Sequence, residues 1–123
     1  MIDHIKLPVG DYARSRAFFT AALAPLGYRM LIERGGREAG FGADFPHFWI
    51  AQSEAPTPAH AAIRARDRAA VAAFHRAALE AGGTDNGAPG MRSHYHPGYF
   101  SAFVLDPDEH NIEAVWHGAG SAP

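Results

Sequence analysis

The sequence predicts an α+β fold built from two βαβββ modules. The first basis is an internal repeat: at an offset of 56 residues, His4 aligns with His60 and Asp11 with Asp67. The second is that each copy opens with alternating apolar and polar residues and continues with apolar residues at helical spacing. A module of about 55 residues buries too little surface to fold alone. We therefore expect the two modules to form one domain over residues 1–123.

The composition excludes several classes of function. Of the residues, 47% are apolar and 20% charged, and a net charge of -2 offers no basic surface for nucleic acid or an anionic membrane. The chain has no cysteine, which excludes disulfides, a thiolate nucleophile and a zinc site built from sulfur. No run approaches the roughly 20 apolar residues of a membrane span, and the first residues lack a signal-peptide pattern. We expect a cytoplasmic protein.

Each copy begins with a strand whose alternate residues face opposite ways. In the first copy the polar face carries His4 and Lys6, and in the second it carries His60 and Arg64. The apolar faces consist of Ile5, Leu7 and Val9 in the first copy and of Ala61, Ile63 and Ala65 in the second. This alternation predicts strands that are buried on one side only.

A helix follows each opening strand. Asp11 and Asp67 stand where an N-cap belongs, because a carboxylate there accepts hydrogen bonds from the free N–H groups of the first turn. Gly27 and Gly82 with Gly83 end the two helices. The stripes that face the core are Ala17, Phe18, Ala21 and Ala22 in the first helix and Ala73, Phe74, Ala77 and Ala78 in the second.

Short strands separated by turn signals complete each module. The clear ones are predicted over residues 28–33, 37–41 and 47–52 in the first copy and over 99–105 and 111–116 in the second. The first hairpin of the second copy is blurred by a Gly- and Pro-rich stretch. Module one therefore covers about residues 1–54 and module two about residues 57–117.

Three residues form the predicted functional centre. His4 and His60 hold the same position in the two opening strands. Glu113 lies in the last strand, where Ile112 and Ala114 face the helices and Glu113 faces the other way. We expect His4, His60 and Glu113 to converge on one concave surface. Two imidazoles and one carboxylate can hold one divalent ion, Fe, Mn, Ni or Zn, and leave positions open for substrate; a polar pocket without metal is the alternative.

At these residues the chain resembles the vicinal oxygen chelate superfamily, which includes glyoxalase I, extradiol ring-cleaving dioxygenases, and fosfomycin and bleomycin resistance proteins. The resemblance covers nearly the whole chain. It is carried by residues 4–11 (HIKLPVGD), residues 14–19 (RSRAFF), His60, and residues 106–113 (DPDEHNIE). The last of these motifs is the most specific, and it implies that Glu113 is a metal ligand.

The resemblance implies a cup-shaped mixed β-sheet with the helices on its outer face. It also implies a homodimer, because exposed module edges are commonly completed by a partner chain. In members of this superfamily a divalent ion chelates two neighbouring oxygens of a small-molecule substrate, as in glyoxalase-type lyases and isomerases or in dioxygenases.

Two positions depart from the family pattern. Glyoxalase I-like members usually carry a further ligand in the fourth strand of module one, and matching residues 112–114 to residues 49–51 places Ile50 there. Gln52, two residues on, could substitute through its amide oxygen or contact substrate. Glu109 stands where the family usually has a glycine in a left-handed turn.

Further residues near the predicted cup have both functional and structural interpretations. His96 and Tyr99 are the candidates for acid–base catalysis, and a plain turn with exposed rings is the alternative. Lys6 and Arg64 could bind a substrate carboxylate or phosphate, or could remain solvated. The remaining histidines are predicted to be exposed or peripheral: His47, His75, His110 and His117.

These observations favour a small metal-dependent enzyme of the glyoxalase/dioxygenase type, acting on a small oxygenated substrate. The competing hypothesis is a metal-free binding protein, similar to bleomycin resistance proteins, whose cup holds an aromatic or drug-like molecule. A third is a vestigial cup in an accessory subunit. Neither nucleic acid nor a membrane is an expected partner.

Overall fold

The computed structural model describes residues 1–119 and confirms the α+β fold of two βαβββ modules. Module one contains β1 (Ile5–Val9), α1 (Tyr12–Leu23), a 3₁₀ turn (Ala24–Leu26), β2 (Arg29–Arg34), β3 (Glu38–Gly42) and β4 (Phe48–Gln52). Module two contains β5 (His60–Arg64), α2 (Arg68–Glu80), β6 (Thr84–Met91), β7 (Phe100–Leu105) and β8 (Asn111–Trp116). Because β1 begins at Ile5, His4 precedes the strand on which it was predicted.

Each module forms its own four-stranded mixed sheet. The strand orders are β1-β4-β3-β2 and β5-β8-β7-β6. In both sheets the first strand of the module pairs in parallel with the last one, and the other pairs are antiparallel. Within residues 1–119 no ladder of hydrogen bonds joins the sheets, so the mixed β-structure consists of two four-stranded sheets, one from each module.

The helices begin where the repeat predicts, but the predicted core-facing stripe is partly wrong, because Ala17 and Ala21 are exposed while Phe19 and Leu23 are buried. The Asp11 carboxylate accepts a hydrogen bond from the Arg14 N–H, and the Asp67 carboxylate accepts one from the Ala70 N–H. Burial of a large apolar side chain is worth about 1.5–3 kcal/mol, so the aromatic side chains dominate the core. Those that are fully buried include Phe18, Phe19, Phe41, Phe48 and Phe74.

The two sheets approach each other at the edges formed by β1 and β5, and the contacts at the two ends of this seam are those of strands that run in opposite directions. At one end of this seam His110 bridges them, because its Nε2 donates to the Pro8 carbonyl at 2.7 Å and its Nδ1 accepts from the Ala59 N–H at 2.9 Å. At the other end, Ile5 and Arg64 line the same cavity. His110 is fully buried, so the prediction that it is exposed or peripheral is wrong.

The turn before β8 contains a residue in the left-handed region. Glu109 has a φ of 66° and is the single non-glycine residue with a positive φ in residues 1–119. A side chain in this conformation crowds its own backbone, at a cost of about 1 kcal/mol. The turn therefore keeps the geometry that glycine favours although the residue is glutamate.

We expect the Glu109→Gly variant to be more stable than the wild type by about 0.5–1 kcal/mol, because glycine removes the crowding but loses more entropy on folding. Urea unfolding measures the change. Glu109→Ala is the matched control, since it removes the carboxylate and keeps the strain, and we expect no gain from it. An equal gain in both variants would mean that charge, and not the backbone, is responsible.

No helix within residues 1–119 has both the length and the apolar character needed to cross a bilayer.

Candidate functional site

The second sheet brings a histidine and a glutamate together on the face opposite α2. In the parallel pair β5 and β8, Ala62 lies opposite Glu113, so His60 and Glu113 project to the same side. His60 Nε2 lies 3.0 Å from Glu113 Oε1. The Glu113 residue is 2% exposed, whereas 52% of the His60 side chain is exposed. The carboxylate is thus accessible mainly from the side of the imidazole.

Tyr99 binds the other oxygen of this carboxylate. Its hydroxyl donates to Glu113 Oε2, and its ring contacts Tyr95 and His96 edge-on. Burial raises the pKa of Tyr99, and the Glu113 carboxylate raises it further, so the hydroxyl keeps its proton at neutral pH. Tyr99 is therefore in a position to orient Glu113; its predicted role as a catalytic acid or base stays a prediction.

We expect Tyr99→Phe to lower the free energy of unfolding at pH 7 by about 1–3 kcal/mol, because a buried carboxylate loses a hydrogen-bond donor. The raised pKa of Tyr99 also means that wild-type stability falls as the pH rises above about 10, the pKa of an unfolded tyrosine. In Tyr99→Phe this fall is smaller. Guanidinium unfolding at pH 7 and pH 11 measures both effects.

Tyr95→Phe is the control for Tyr99→Phe, since Tyr95 is exposed. It is expected to change the stability at pH 7 by less than about 0.5 kcal/mol. Equal losses in the two variants would contradict a specific bond between Tyr99 and Glu113.

A second pair of imidazoles lies beside Tyr99. His96 Nε2 and His117 Nδ1 are 2.9 Å apart, and both rings contact the Tyr99 ring. His96 Nδ1 donates to the Pro97 carbonyl, so His96 Nε2 accepts from His117. Burial lowers the pKa of His117, and the charge of Arg64 lowers it further. The prediction that His117 is peripheral is wrong. Alternate residues of a strand share a face, so the count from Glu113 through residue 115 places His117 on the same face of the second sheet as Glu113.

His4 lies apart from the pair of His60 and Glu113. Its Nδ1 donates to Asp3 Oδ1 at 2.7 Å, which leaves Nε2 as the acceptor nitrogen. Because β1 and β5 are antiparallel neighbours, His60 lies near Pro8, four residues from His4 and thus about 13 Å away along the strand. In residues 1–119, His4, His60 and Glu113 do not form a group close enough to share an ion.

Tryptophan occupies the module-one position that corresponds to Glu113. Glu113 pairs with Ala62 in one sheet, and Trp49 pairs with Lys6, the repeat partner of Ala62, in the other. The sequence match that placed Ile50 there is wrong by one residue. The Trp49 ring needs Gly40, because a Cβ at that position would lie 2.8 Å from the indole. The fourth ligand position of a glyoxalase-type site is therefore filled by an indole.

The three predicted substrate contacts lie in different surroundings. Lys6 Nζ is 3.3 Å from the Glu38 carboxylate. Gln52 binds backbone: its Oε1 accepts from the Tyr12 N–H, and its Nε2 donates to the Gly10 carbonyl. Within residues 1–119 the Arg64 guanidinium has no hydrogen bond or ion pair. Arg64 is the one of the three with an unpaired polar group.

A compact group of two carboxylates and one imidazole lies elsewhere, at Asp106, Asp108 and His110. Both His110 nitrogens already bond to backbone, so the imidazole has no lone pair left for a metal. Asp108 Oδ1 accepts from the Gly10 N–H at 3.0 Å, and Asp106 Oδ1 accepts from the His110 N–H at 2.7 Å. Burial raises the pKa of Asp106. The group joins the modules and does not have the properties of a metal site.

The model of the Glyoxalase/Bleomycin resistance protein/Dioxygenase superfamily matches residues 1–114. The chain belongs to this superfamily. No curated protein matches it. The resemblance that the opening and closing motifs suggested is thereby confirmed.

Solved structures show the same fold. A glyoxalase/bleomycin resistance protein from Albidiferax ferrireducens T118 is 24% identical, with 93% of this chain and 96% of that chain covered and a TM-score of 0.79. TioX from Micromonospora sp. ML1 is 15% identical, with 95% and 98% covered and a TM-score of 0.73. A mutant of glyoxalase I from Zea mays is 24% identical, with 93% of this chain but 46% of that chain covered and a TM-score of 0.68.

Proposed function

We propose that this member of the glyoxalase/bleomycin resistance/dioxygenase superfamily is a small metal-dependent enzyme acting on a small oxygenated substrate, with the ion held by His60, Glu113 and His4. The observation that carries the proposal is the pair of His60 and Glu113 at one end of the seam. Two ligands at right angles, each about 2.1 Å from an ion, are about 3 Å apart. The distance from His60 Nε2 to Glu113 Oε1 is 3.0 Å. The donor set therefore fits an ion without rearrangement.

The surroundings of the ligands also support a metal site. Metal-binding histidines usually donate their second ring N–H to an oxygen acceptor, and ligating carboxylates are themselves hydrogen-bonded. His4 Nδ1 donates to the Asp3 carboxylate, and Glu113 accepts from Tyr99. Because the indole of Trp49 is not a metal ligand, the proposed site has three protein ligands. Open coordination positions therefore remain for water or substrate.

A second copy of the chain would supply the third ligand. The seam separates His4 from His60 within one chain, yet His4 is exposed and its Nε2 has no hydrogen bond. In a twofold dimer, His4 of the partner subunit would approach His60 and Glu113, and the same contact would occur twice. This arrangement would produce two equivalent sites per dimer.

The chain's own residues have distinct tasks in this proposal. Glu113 and His60 bind the ion, Tyr99 orients Glu113, and the pair of His96 and His117 can accept or pass a proton beside the site. A divalent ion, when bound, would polarise a substrate oxygen as a Lewis acid. The proton between His60 Nε2 and Glu113 must leave this position when an ion binds, and a neutral imidazole then carries it on Nδ1, so that the Nε2 lone pair is free for the ion.

Metal titration of chelator-treated protein without a histidine tag tests the proposal. We expect one ion per chain. His60→Ala and Glu113→Gln are expected to weaken binding at least tenfold, whereas exposed His94→Ala is not. The absence of stoichiometric binding for Fe(II), Mn(II), Ni(II) and Zn(II) would refute metal dependence.

Co-expression of His4→Ala with His60→Ala chains tests the shared site. Half of randomly paired dimers contain both variants, and each of these keeps one intact site out of two, so about a quarter of the wild-type metal capacity should return. If the mixture binds no more than either variant alone, then His4 does not come from a second copy.

One observation favours the metal-free binding protein as a second candidate function. Trp49 fills the ligand position of module one, and the face around Tyr99 is aromatic, with Tyr95, His96 and His117 in ring contact. Such a surface can hold a planar molecule by stacking. Failure of the metal titration together with saturable binding of an aromatic ligand would establish this alternative.

A further inference from the structure

A cavity of about 240 Å³ opens at the end of the seam away from His60. Here β1 begins and β5 ends, and among residues 1–119 no buried side chain bonds to both strands as His110 does at the opposite end. In module one, the turn before β4 carries Phe45 and His47, which are exposed. In module two, the corresponding turn before β8 carries His110, which is buried. The cavity is the gap that this difference leaves.

The cavity has apolar walls and one cationic group. Ile5, Phe48 and Ile63 are among its apolar lining residues. The full lining is Ile2, Ile5, Tyr28, His47, Phe48, Ala62, Ile63 and Arg64. Burial raises the pKa of Tyr28, so this side chain carries no negative charge at neutral pH. Among the residues that the structure describes, no carboxylate side chain lines the cavity.

Arg64 is the group that gives the cavity its selectivity. The guanidinium is planar and always charged, and it binds a carboxylate through two parallel hydrogen bonds. Two other arginines are committed to partners: Arg16 pairs with Glu33, and Arg92 donates to the Ser101 carbonyl. Within residues 1–119 Arg64 has none, although its charge acts on His117. A cation beside an apolar gap is complementary to an amphipathic anion.

We propose that this cavity is a second ligand site, which takes a small monocarboxylate with an apolar body. The carboxylate pairs with Arg64, and the body packs against Ile5, Phe48 and Ile63. The volume fits one ring or a short alkyl chain, which is smaller than the roughly 300–1,000 Å³ of most ligand pockets. Arg64 is four residues from His60 along β5, roughly 13 Å away, so the carboxylate is held at a distance from the imidazole of the proposed metal centre.

Benzoate is the probe, with benzyl alcohol as its neutral match. In ¹H–¹⁵N NMR titrations of chelator-treated protein, we expect saturable benzoate shifts at Ile5, Phe48 and Ile63 with a millimolar Kd or tighter. Benzyl alcohol should bind at least tenfold more weakly, because the charge-assisted bonds are lost. His60→Ala should bind benzoate as the wild type does, which separates this site from the proposed metal centre.

Two variants and one control complete the test. Arg64→Gln removes the charge and should weaken benzoate binding at least tenfold, and Ala62→Leu fills the cavity and should abolish it. Arg66→Gln removes a charge two residues further along, outside the cavity, and should have no effect. Equal affinity for benzoate and benzyl alcohol, or unchanged binding in Arg64→Gln, would overturn the proposal. So would shifts of the same residues on raising the protein concentration alone, which would mean that a second copy covers the cavity.

Discussion

The His110→Ala variant is expected to lose about 4 kcal/mol of stability, the largest effect of any single change proposed for this protein. Two partly buried backbone groups, the Ala59 N–H and the Pro8 carbonyl, would each lose a partner at a cost of about 1–3 kcal/mol. Removal of a fully buried ring adds the cost of a cavity. Urea unfolding at pH 7, followed by circular dichroism, measures the loss.

His94→Ala provides the comparison, since His94 is exposed and its ring contacts Tyr95 alone. It should change stability by less than about 0.5 kcal/mol. If His110→Ala were as stable as His94→Ala, water would be replacing the imidazole, and His110 would not be the bond that holds the seam.

The Gly42→Ala variant is expected to lose about 3 kcal/mol. A Cβ at Gly42 would lie 1.8 Å from the Phe45 carbonyl oxygen, and this oxygen belongs to the backbone, so it cannot turn aside. The turn between β3 and β4 must therefore open, which disturbs the start of the strand that carries Trp49. Thermal and urea unfolding detect the change, and the intrinsic fluorescence of tryptophan reports the disturbance locally.

Gly27→Ala separates crowding from backbone conformation. Gly27 has a φ of 83° and no atom within 4 Å of a Cβ, so alanine there meets backbone strain and no clash. We expect a loss of about 1 kcal/mol. Similar losses at Gly27 and Gly42 would contradict the steric explanation.

The repeat made most of the fold predictable. Alternation and the two aspartate caps are local signals, and the structure shows both caps in place. The same alternation placed His60 and Glu113 on one face, where they are in contact. Local patterns of this kind fix which side of a strand a residue faces, because the period of two does not depend on the rest of the chain.

The relation between the modules was not predictable in this way. Equivalent positions in a repeat are not neighbours when the two copies are related by a twofold axis, and His4 therefore lies at the opposite end of the seam from His60. The roles of His110 and Trp49 were missed for a related reason. His110 acts across modules, and the position of Trp49 depends on strand register, which the sequence match misjudged by one residue.

The union of the two sheets through side chains alone has a consequence for how the molecule can assemble. An ordinary sheet resists separation because every residue of an interior strand contributes a backbone bond. Within residues 1–119, the His110 imidazole and the packed helices hold the two modules together. A module can therefore separate from the other module of its chain and pack against a module of a second chain without breaking backbone hydrogen bonds within either sheet. Exchange of entire halves between chains is thus a modest rearrangement for this architecture.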